Sequence, residues 1–258
     1  MPRGWRGPMG AALERFFSLF REGRADAAAA LDDSFVPTGS DLYRLSCRSC
    51  HGPDGAGATP EIPSYLGPVQ GASAALIRRR LEARGGDVDE AFVRELAADG
   101  EKTLRERVQN GCERMPAFPH LEGAEVEALI WYLKRQAGVP EAAGQPHEVT
   151  ESVARVGEHL VKGTCHICHD ATGPGGGHMM MMRGVIPSLA SLAEEKSPDD
   201  LVRKVRDGAS GMMGMMGARR MPVYAYLTEE EILASYLYLV SYAPRRDARV
   251  DTRETDHA

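Results

Sequence analysis

The chain has no long apolar run, few aromatic residues and no pattern typical of β-strands. Hydrophobic residues make up 43% of its 258 residues, but aromatic residues only 6%. No stretch approaches the roughly 20 consecutive apolar residues that a membrane-spanning helix needs. No segment alternates apolar and polar residues as a half-buried strand does. We therefore predict an all-α protein with no transmembrane segment in this sequence.

Positive charge is not in excess either. The 31 Lys and Arg residues are scattered among 37 Asp and Glu residues, which gives a formal net charge of -6. This distribution argues against nucleic-acid binding, and it favours docking with protein partners through complementary charged patches.

Four of the five cysteines belong to two copies of one motif. Residues 47–51 are Cys-Arg-Ser-Cys-His and residues 165–169 are Cys-His-Ile-Cys-His, and both fit C-x-x-C-H, the attachment signature of c-type haem. Positions i, i+3 and i+4 of a helix share one face, so two thiols can meet the vinyl groups while the imidazole reaches the iron. The alternative is a zinc-binding cysteine pair or a redox dithiol that happens to precede histidine. The presence of a second copy of the motif makes this alternative less favoured. We predict two covalently bound haem c groups, with thioether anchors at Cys47, Cys50, Cys165 and Cys168 and proximal ligands at His51 and His169.

The surroundings of the two motifs repeat in the same order. Ile-Pro-Ser follows each motif, at 62–64 and 186–188, and a Met-Pro pair precedes the last apolar helix of each half, at 115–116 and 221–222. Other matched landmarks are Leu104/Leu201, Val108/Val205, Gly111/Gly208, Leu121/Leu227, Glu125/Glu231, Val126/Ile232, Tyr132/Tyr238 and Leu133/Leu239. The matches indicate an internal duplication of a domain of roughly a hundred residues.

The Met-Pro pairs supply the candidates for the distal iron ligands. A residue before proline is driven out of the helical region, so Met115 and Met221 should project from extended loops. Thioether sulfur is soft and neutral, and His/Met ligation raises the potential of haem iron. We therefore predict Met115 as the partner of His51 and Met221 as the partner of His169.

The second half carries two methionine-rich insertions that the first half lacks. One contains His178 and Met179 to Met182, and the other contains Met212, Met213, Met215 and Met216. They offer competing distal ligands, but only Met221 keeps the Met-Pro context. One hypothesis is a Cu(I) site, because thioethers and imidazole select that ion. We prefer an apolar surface that covers the haem or docks a partner, since the glycine-rich insertion is too flexible to preorganise a metal site.

With these motifs, the chain resembles the tandem two-domain, dihaem class I cytochromes c. The resemblance implies a small helical fold for each domain, in which a C-terminal helix crosses an N-terminal helix that ends in C-x-x-C-H. It also implies that the carbonyl of Pro63 or Pro187 accepts a hydrogen bond from the proximal imidazole, which fixes its tautomer. The expected division is an extension at 1–38, domain 1 at 39–138, a linker at 139–149, domain 2 at 150–243 and a charged tail at 244–258.

Apolar periodicity and capping residues predict the individual helices. They are expected at 40–50, 74–83, 88–98, 101–110 and 122–136 in the first half, and at 152–168, 198–207 and 228–241 in the second. Gly111 is expected to end the helix before it.

Residues 11–31 predict an amphipathic helix, and residues 1–38 form no recognisable signal peptide. Haem of the c type is normally attached after export, so we expect a periplasmic or otherwise extracytoplasmic protein, with membrane association left open. A signal or anchor upstream of this sequence, or trimming of the sequence, would reconcile the two observations.

The remaining cysteine and histidines have weaker patterns. Cys112 is expected to be a buried, inert thiol, although thiolate ligation occurs in some thiosulfate-oxidising dihaem enzymes that the arrangement resembles. His166 is expected to face solvent. His120, His147 and His159 form no visible constellation.

The favoured function is transfer of single electrons between redox partner proteins, such as an oxidase, a reductase or a small carrier, in a respiratory or other periplasmic chain. No catalytic residue is then expected. Two alternatives stay open. One is a dihaem oxidoreductase of thiosulfate dehydrogenase-like or peroxidase-like type. The other is a fixed electron-transfer subunit of a larger respiratory complex.

The haem content of the protein tests the duplication directly. Protein matured in a host that attaches c-type haem should give two haems per chain in a pyridine haemochrome assay, retained after denaturation because thioether bonds are covalent. Replacing both Cys165 and Cys168 with Ala should leave one haem, since the repeats predict two separately closed cores. A single haem in the unaltered protein, or haem that acid acetone extracts, would contradict the prediction.

Overall fold

A computed structural model describes residues 6–21, 36–58, 61–85, 88–113, 115–144, 147–169, 189, 196–208 and 221–242. These residues form helices and isolated β-bridges but no strand, which confirms the all-α prediction. None of the described helices is both long and apolar enough to cross a bilayer. The helices are α1 (Arg6–Arg21), α2 (Gly39–Ser46), α3 (Arg48–His51), α4 (Leu66–Gln70), α5 (Ala74–Ala83), α6 (Glu90–Asn110), α7 (Gly123–Gln136), α8 (Val153–Gly163), α9 (Pro198–Asp207) and α10 (Glu229–Tyr242).

Several helix bounds agree closely with the sequence-based predictions, but α4 was not predicted. Helices α5 and α9 begin and end at the predicted residues. The predicted break between 88–98 and 101–110 was wrong, because α6 runs through it. A Cβ at Gly100 would lie 2.5 Å from the carbonyl oxygen of Gly71, so this glycine allows α6 to pack closely on the end of α4 and does not interrupt the helix. Gly111 ends α6 with φ of +71°, as expected.

In both halves, the first helix crosses the last at a glycine. A Cβ at Gly39 of α2 would come within 1.9 Å of the carbonyl oxygen of Ala128 in α7. A Cβ at Gly157 of α8 would come within 2.0 Å of the carbonyl oxygen of Ala234 in α10. Any side chain at these positions would push the helices apart. This repeated crossing is the arrangement that the resemblance implies.

Each crossed pair of helices has its own apolar core, and α1 adds to the second one. Leu129 is buried in the first core and Leu160 in the second. Leu13 and Phe16 of α1 are buried in the second core, although α1 precedes the first half in sequence. The predicted amphipathic helix at 11–31 therefore exists as α1, and residues 22–35 lie outside the described residues.

The predicted linker at 139–149 is held against the start of the first half. It contains a 3-10 turn at Pro140–Ala142. Its far end pairs with the strand-like segment before α2, where Glu148 bridges Thr38 and the amide of Val149 donates to the carbonyl of Pro37 at 3.0 Å. The predicted tail at 244–258 lies outside the described residues.

Reciprocal ion pairs join the two halves. Glu125 and Glu231 lie at equivalent positions in the first turns of α7 and α10, and each accepts a hydrogen bond from the backbone three residues before it. Arg155 of α8 donates to both carboxylate oxygens of Glu125, at 2.8 and 2.7 Å, while Arg44 of α2 pairs with Glu231. Each half thus supplies an arginine to the last helix of the other. Removing one partner of such a buried pair typically costs about 3–5 kcal/mol, because a buried charge is left without its counter-charge.

Replacement of Gly157 by Ala tests the helix crossing. The added methyl group overlaps the Ala234 carbonyl, so we expect the free energy of unfolding of the haem-loaded protein to fall by about 1–3 kcal/mol, measured by denaturant unfolding. Gly67→Ala in α4 is the control, because nothing lies within 4 Å of a Cβ there. Equal effects of the two substitutions would show that the crossing does not limit stability.

Candidate haem sites

Both C-x-x-C-H motifs form one tight turn with the same hydrogen bonds. The amides of Cys50 and His51 donate to the carbonyl of Cys47 at 3.1 and 3.0 Å. In the second motif, the equivalent amides donate to the carbonyl of Cys165 at 3.2 and 3.0 Å. The helices predicted to run through each motif are broken at Cys47 and at Thr164, so that detail was wrong. The turn nevertheless retains the i, i+3, i+4 spacing on which the attachment argument depends.

An apolar cavity of about 370 Å³ lies beside the first motif. Its walls include Cys47, Cys50 and His51 from the motif, Pro63 from the following loop and Met115 from the Met-Pro loop. Apolar side chains supply much of the remaining wall: Val69, Leu104, Val108, Phe118, Leu129 and Leu133. The structure thus brings every residue predicted for the first haem onto one cavity, and its apolar lining fits a porphyrin.

Burial sets the charge states of the motif residues. It raises the pKa of the Cys47 thiol to about 12, with a smaller contribution from Cys50, and the Cys165 thiol is raised equally. Burial also lowers the pKa of His51, which keeps its imidazole neutral. A redox dithiol needs a thiol of lowered pKa. The charge states therefore argue against that alternative, and a neutral imidazole is the form that binds iron.

The hydrogen bond implied between His51 and the carbonyl of Pro63 is not formed. Nδ1 of His51 is buried and makes no hydrogen bond. The ring instead packs on Tyr65, with the centroids 5.4 Å apart and an interplanar angle of 73°. The His51 ring lies on the wall of the apolar cavity, where a bond to haem iron would fix its position even without this hydrogen bond. Pro187, the equivalent of Pro63, lies outside the described residues.

The two Met-Pro loops are built alike. Gly111 and Gly208 end the preceding helices with φ of +71° and +73°. A Cβ on these glycines would lie 2.5 Å from the carbonyl oxygen of Met115 and 2.9 Å from that of Met221, respectively. The residue three beyond each methionine donates to the equivalent valine carbonyl of the preceding helix, Phe118 to Val108 and Tyr224 to Val205. The glycine that ends the helix therefore also admits the methionine loop.

The structure describes the second site in part. Cys165 and Met221 are half-buried and pack against the same apolar core, which agrees with Met221 as a distal ligand. Cys168 and His169 complete the second motif. The two methionine-rich insertions lie outside the described residues. The Cu(I) hypothesis depends on them and is therefore not tested by the structure.

The two attachment motifs contact each other, which the sequence did not reveal. The hydroxyl of Thr164 donates to the carbonyl of Leu45 at 2.7 Å. Ile167, inside the second motif, lines the cavity of the first. The guanidinium of Arg48, inside the first motif, lies 4.6 Å from the ring centre of Tyr226 in the second half. The two sites are therefore neighbours.

Two expectations about individual side chains were wrong. Cys112 is exposed and lies on the wall of the first cavity. It exchanges two backbone hydrogen bonds with Met115, of 3.0 and 2.6 Å, across a tight turn. His166 is partly buried and does not simply face solvent. In addition, His120 and His159, which had no visible constellation, lie side by side with ring centroids 5.7 Å apart.

Comparison with known families identifies the fold. The family model described as cytochrome C oxidase, cbb3-type, subunit III matches the chain twice, over residues 35–133 and 152–239. These matches cover more than half of the chain. The chain belongs to this family. Its two cytochrome c-type domains imply covalently bound haem c, electron transfer and redox partner proteins. No curated protein and no solved structure matches the chain.

Ligand replacement tests the distal residues of this family member. Met115→His and Met221→His should each lower the potential of one haem only, because a nitrogen donor favours ferric iron more than thioether sulfur does. The expected change is a sizeable fraction of the ~0.8 V range that axial ligands span, measured by spectroelectrochemical titration.

Met212→His is the control for Met221→His, and Cys112→Ser the control for Met115→His; neither should change a potential. A shift with Met212→His but not with Met221→His would show that the distal ligand of the second haem was assigned wrongly.

Proposed function

We propose that the chain is a dihaem c-type cytochrome that transfers single electrons between redox partner proteins in a periplasmic electron-transport chain. The observation that carries this proposal is the first cavity, where two thiols, an imidazole and a thioether line one apolar space. Bound haem would supply one-electron chemistry at an iron whose potential its axial ligands set. His51 and Met115 would hold that iron, and the equivalent residues His169 and Met221 would hold the second.

The residues around the first cavity favour a carrier over an enzyme. With both His51 and Met115 bound to the iron, no ligand position would be left for a substrate. The hydroxyl of Tyr43 donates to the carbonyl of Gly52 at 2.7 Å, and its ring packs against Tyr65 and Tyr132. These contacts hold the loop after the motif in place. A rigid apolar site suits outer-sphere electron transfer, since the protein groups around the iron need little rearrangement.

The contact between the two motifs supports electron exchange within the chain. Ile167 lies on the wall of the first cavity and belongs to the turn that would hold the second haem. Hydrogen bonds between the two N-terminal helices fix this arrangement, with Ser46 donating to the carbonyl of His159 at 3.3 Å. An electron accepted at one site would then reach the other without a second protein.

A fixed subunit of a respiratory complex is the second candidate. The description of the matched family, which names a subunit of a cytochrome oxidase, favours it. An enzyme is a third candidate, because the exposed Cys112 shares the cavity wall with Met115. The carrier and the fixed subunit share the same haem chemistry and differ only in the permanence of the partner.

Spectra of the ferric protein decide between carrier and enzyme. Two low-spin irons with methionine ligands should give the near-infrared charge-transfer band for both haems, and neither thiosulfate nor peroxide should be turned over. A high-spin signal, or a thiolate signal that disappears in Cys112→Ser, would replace the carrier with the enzyme. Fractionation of native membranes then separates the remaining candidates, because a fixed subunit remains with an oxidase after detergent extraction and salt washing.

A further inference from the structure

Glu125, Glu151 and His159 form a buried cluster where the two halves meet, outside both haem sites. Glu125 comes from α7, His159 from α8, and Glu151 from the segment just before α8. Nε2 of His159 shares a hydrogen bond of 2.9 Å with Oε2 of Glu151 and lies 3.6 Å from Oε1 of Glu125. One ligand atom from each residue lies within 4.8 Å of the others. His159 is fully buried, and Glu151 is only 6% exposed.

Several polar atoms in and beside this cluster have no hydrogen-bond partner. They are Oε1 of Glu151, Nδ1 of His159 and Nε2 of His120, all buried. The imidazole of His120 lies 5.7 Å from that of His159, measured between ring centroids, and is 6% exposed. Buried polar groups are normally hydrogen-bonded, so a concentration of unsatisfied atoms points to a group that the protein chain does not itself provide.

The charges of the cluster also indicate a bound group, because one of its carboxylates pairs with no described lysine or arginine side chain. Glu125 is neutralised by Arg155, and Arg155 also pairs with Glu158 at 2.6 Å. Among the described residues, no lysine or arginine pairs with Glu151. A buried carboxylate needs a positive partner, because removal of an ion from water is otherwise too costly. That partner is either a proton on His159 or a bound cation.

We propose that the cluster binds one Zn²⁺ ion through Glu125, Glu151 and His159, with water as the fourth ligand. Zinc takes nitrogen and oxygen ligands at about 2.0–2.2 Å in a tetrahedral arrangement. Ligand atoms on one ion are then about 3.3–3.6 Å apart. The observed separation of 3.6 Å fits this range, and the 2.9 Å between His159 and Glu151 would have to lengthen as zinc replaces their hydrogen bond.

The ion explains more of the structure than a proton does. A proton on His159 would supply the charge but leave Oε1 of Glu151 and Nε2 of His120 without partners. A zinc ion with a bound water offers both of them one, since the two O–H groups of the water can donate to Oε1 of Glu151 and to Nε2 of His120.

The proposed ligands come from both halves of the molecule. Glu125 lies in the first segment that matches the family and His159 in the second, with Glu151 next to the latter. Bound zinc would therefore join the two domains directly, beside the ion pair that Arg155 already makes with Glu125.

Zinc titration of the haem-loaded full chain tests the site. After removal of metals by a chelator, the protein should bind one Zn²⁺ per chain in competition with a zinc-binding dye. Glu151→Gln and His159→Gln should weaken binding by more than the roughly 10–100-fold that loss of a hydrogen bond to a ligand costs. Glu148→Gln and His147→Gln, which change exposed residues in the same segment, should leave the affinity unchanged. Equal affinity in all four variants, or no stoichiometric binding, would overturn the proposal.

X-ray absorption at the zinc edge of the unaltered protein gives a test that does not depend on variants folding. The proposal requires imidazole and oxygen ligands only, at about 2.0–2.2 Å. A sulfur ligand at about 2.3 Å would place the zinc on a cysteine and refute it. Haem content and haem spectra are measured on the same sample, so the outcome is separate from that of the proposed electron transfer.

Discussion

The contact of two helices at a single glycine is the constraint on which each half of this protein depends. Because Gly39 and Gly157 have no side chain, the first helix of each half lies directly on the backbone of the last. The C-x-x-C-H turn follows the first helix and the Met-Pro loop precedes the last, so the crossing determines how far apart the two ends of a haem site lie. The apolar cavity of the first half is the space that this arrangement leaves.

The two copies that arose by duplication of this unit are not independent of each other. Each half supplies an arginine to the last helix of the other, and the two attachment turns share a wall. The two glutamates of these ion pairs are equivalent by the repeat but the two arginines are not, since Arg44 lies late in α2 and Arg155 lies early in α8. The halves have therefore diverged at the surface where they meet, while the crossing and the methionine loop have kept the same geometry.

Local patterns in the sequence were sufficient for much of the fold and for the residues that line the first cavity. The Met-Pro pairs and the terminal Gly111 depend on residues close together in the chain, and each has the predicted local structure, whereas the helix predicted through each attachment motif is broken. Two other failures involve distant partners. Helix α6 continues through Gly100 because α4 packs there, and His159 gained its neighbours from another helix and from the segment before its own. Periodicity within one helix contains no information about such contacts.

The position of α1 has a consequence for how the molecule is assembled. This helix is the first described element of the chain, yet it packs on α10, which is the last. The second core is therefore closed by the first and the last described helices, with the whole first half lying between them in sequence. Contacts of such large sequence separation form slowly, because a long loop must close before they contribute. The first half can gather its own helices locally, whereas the second core is complete only when α1 and α10 have met.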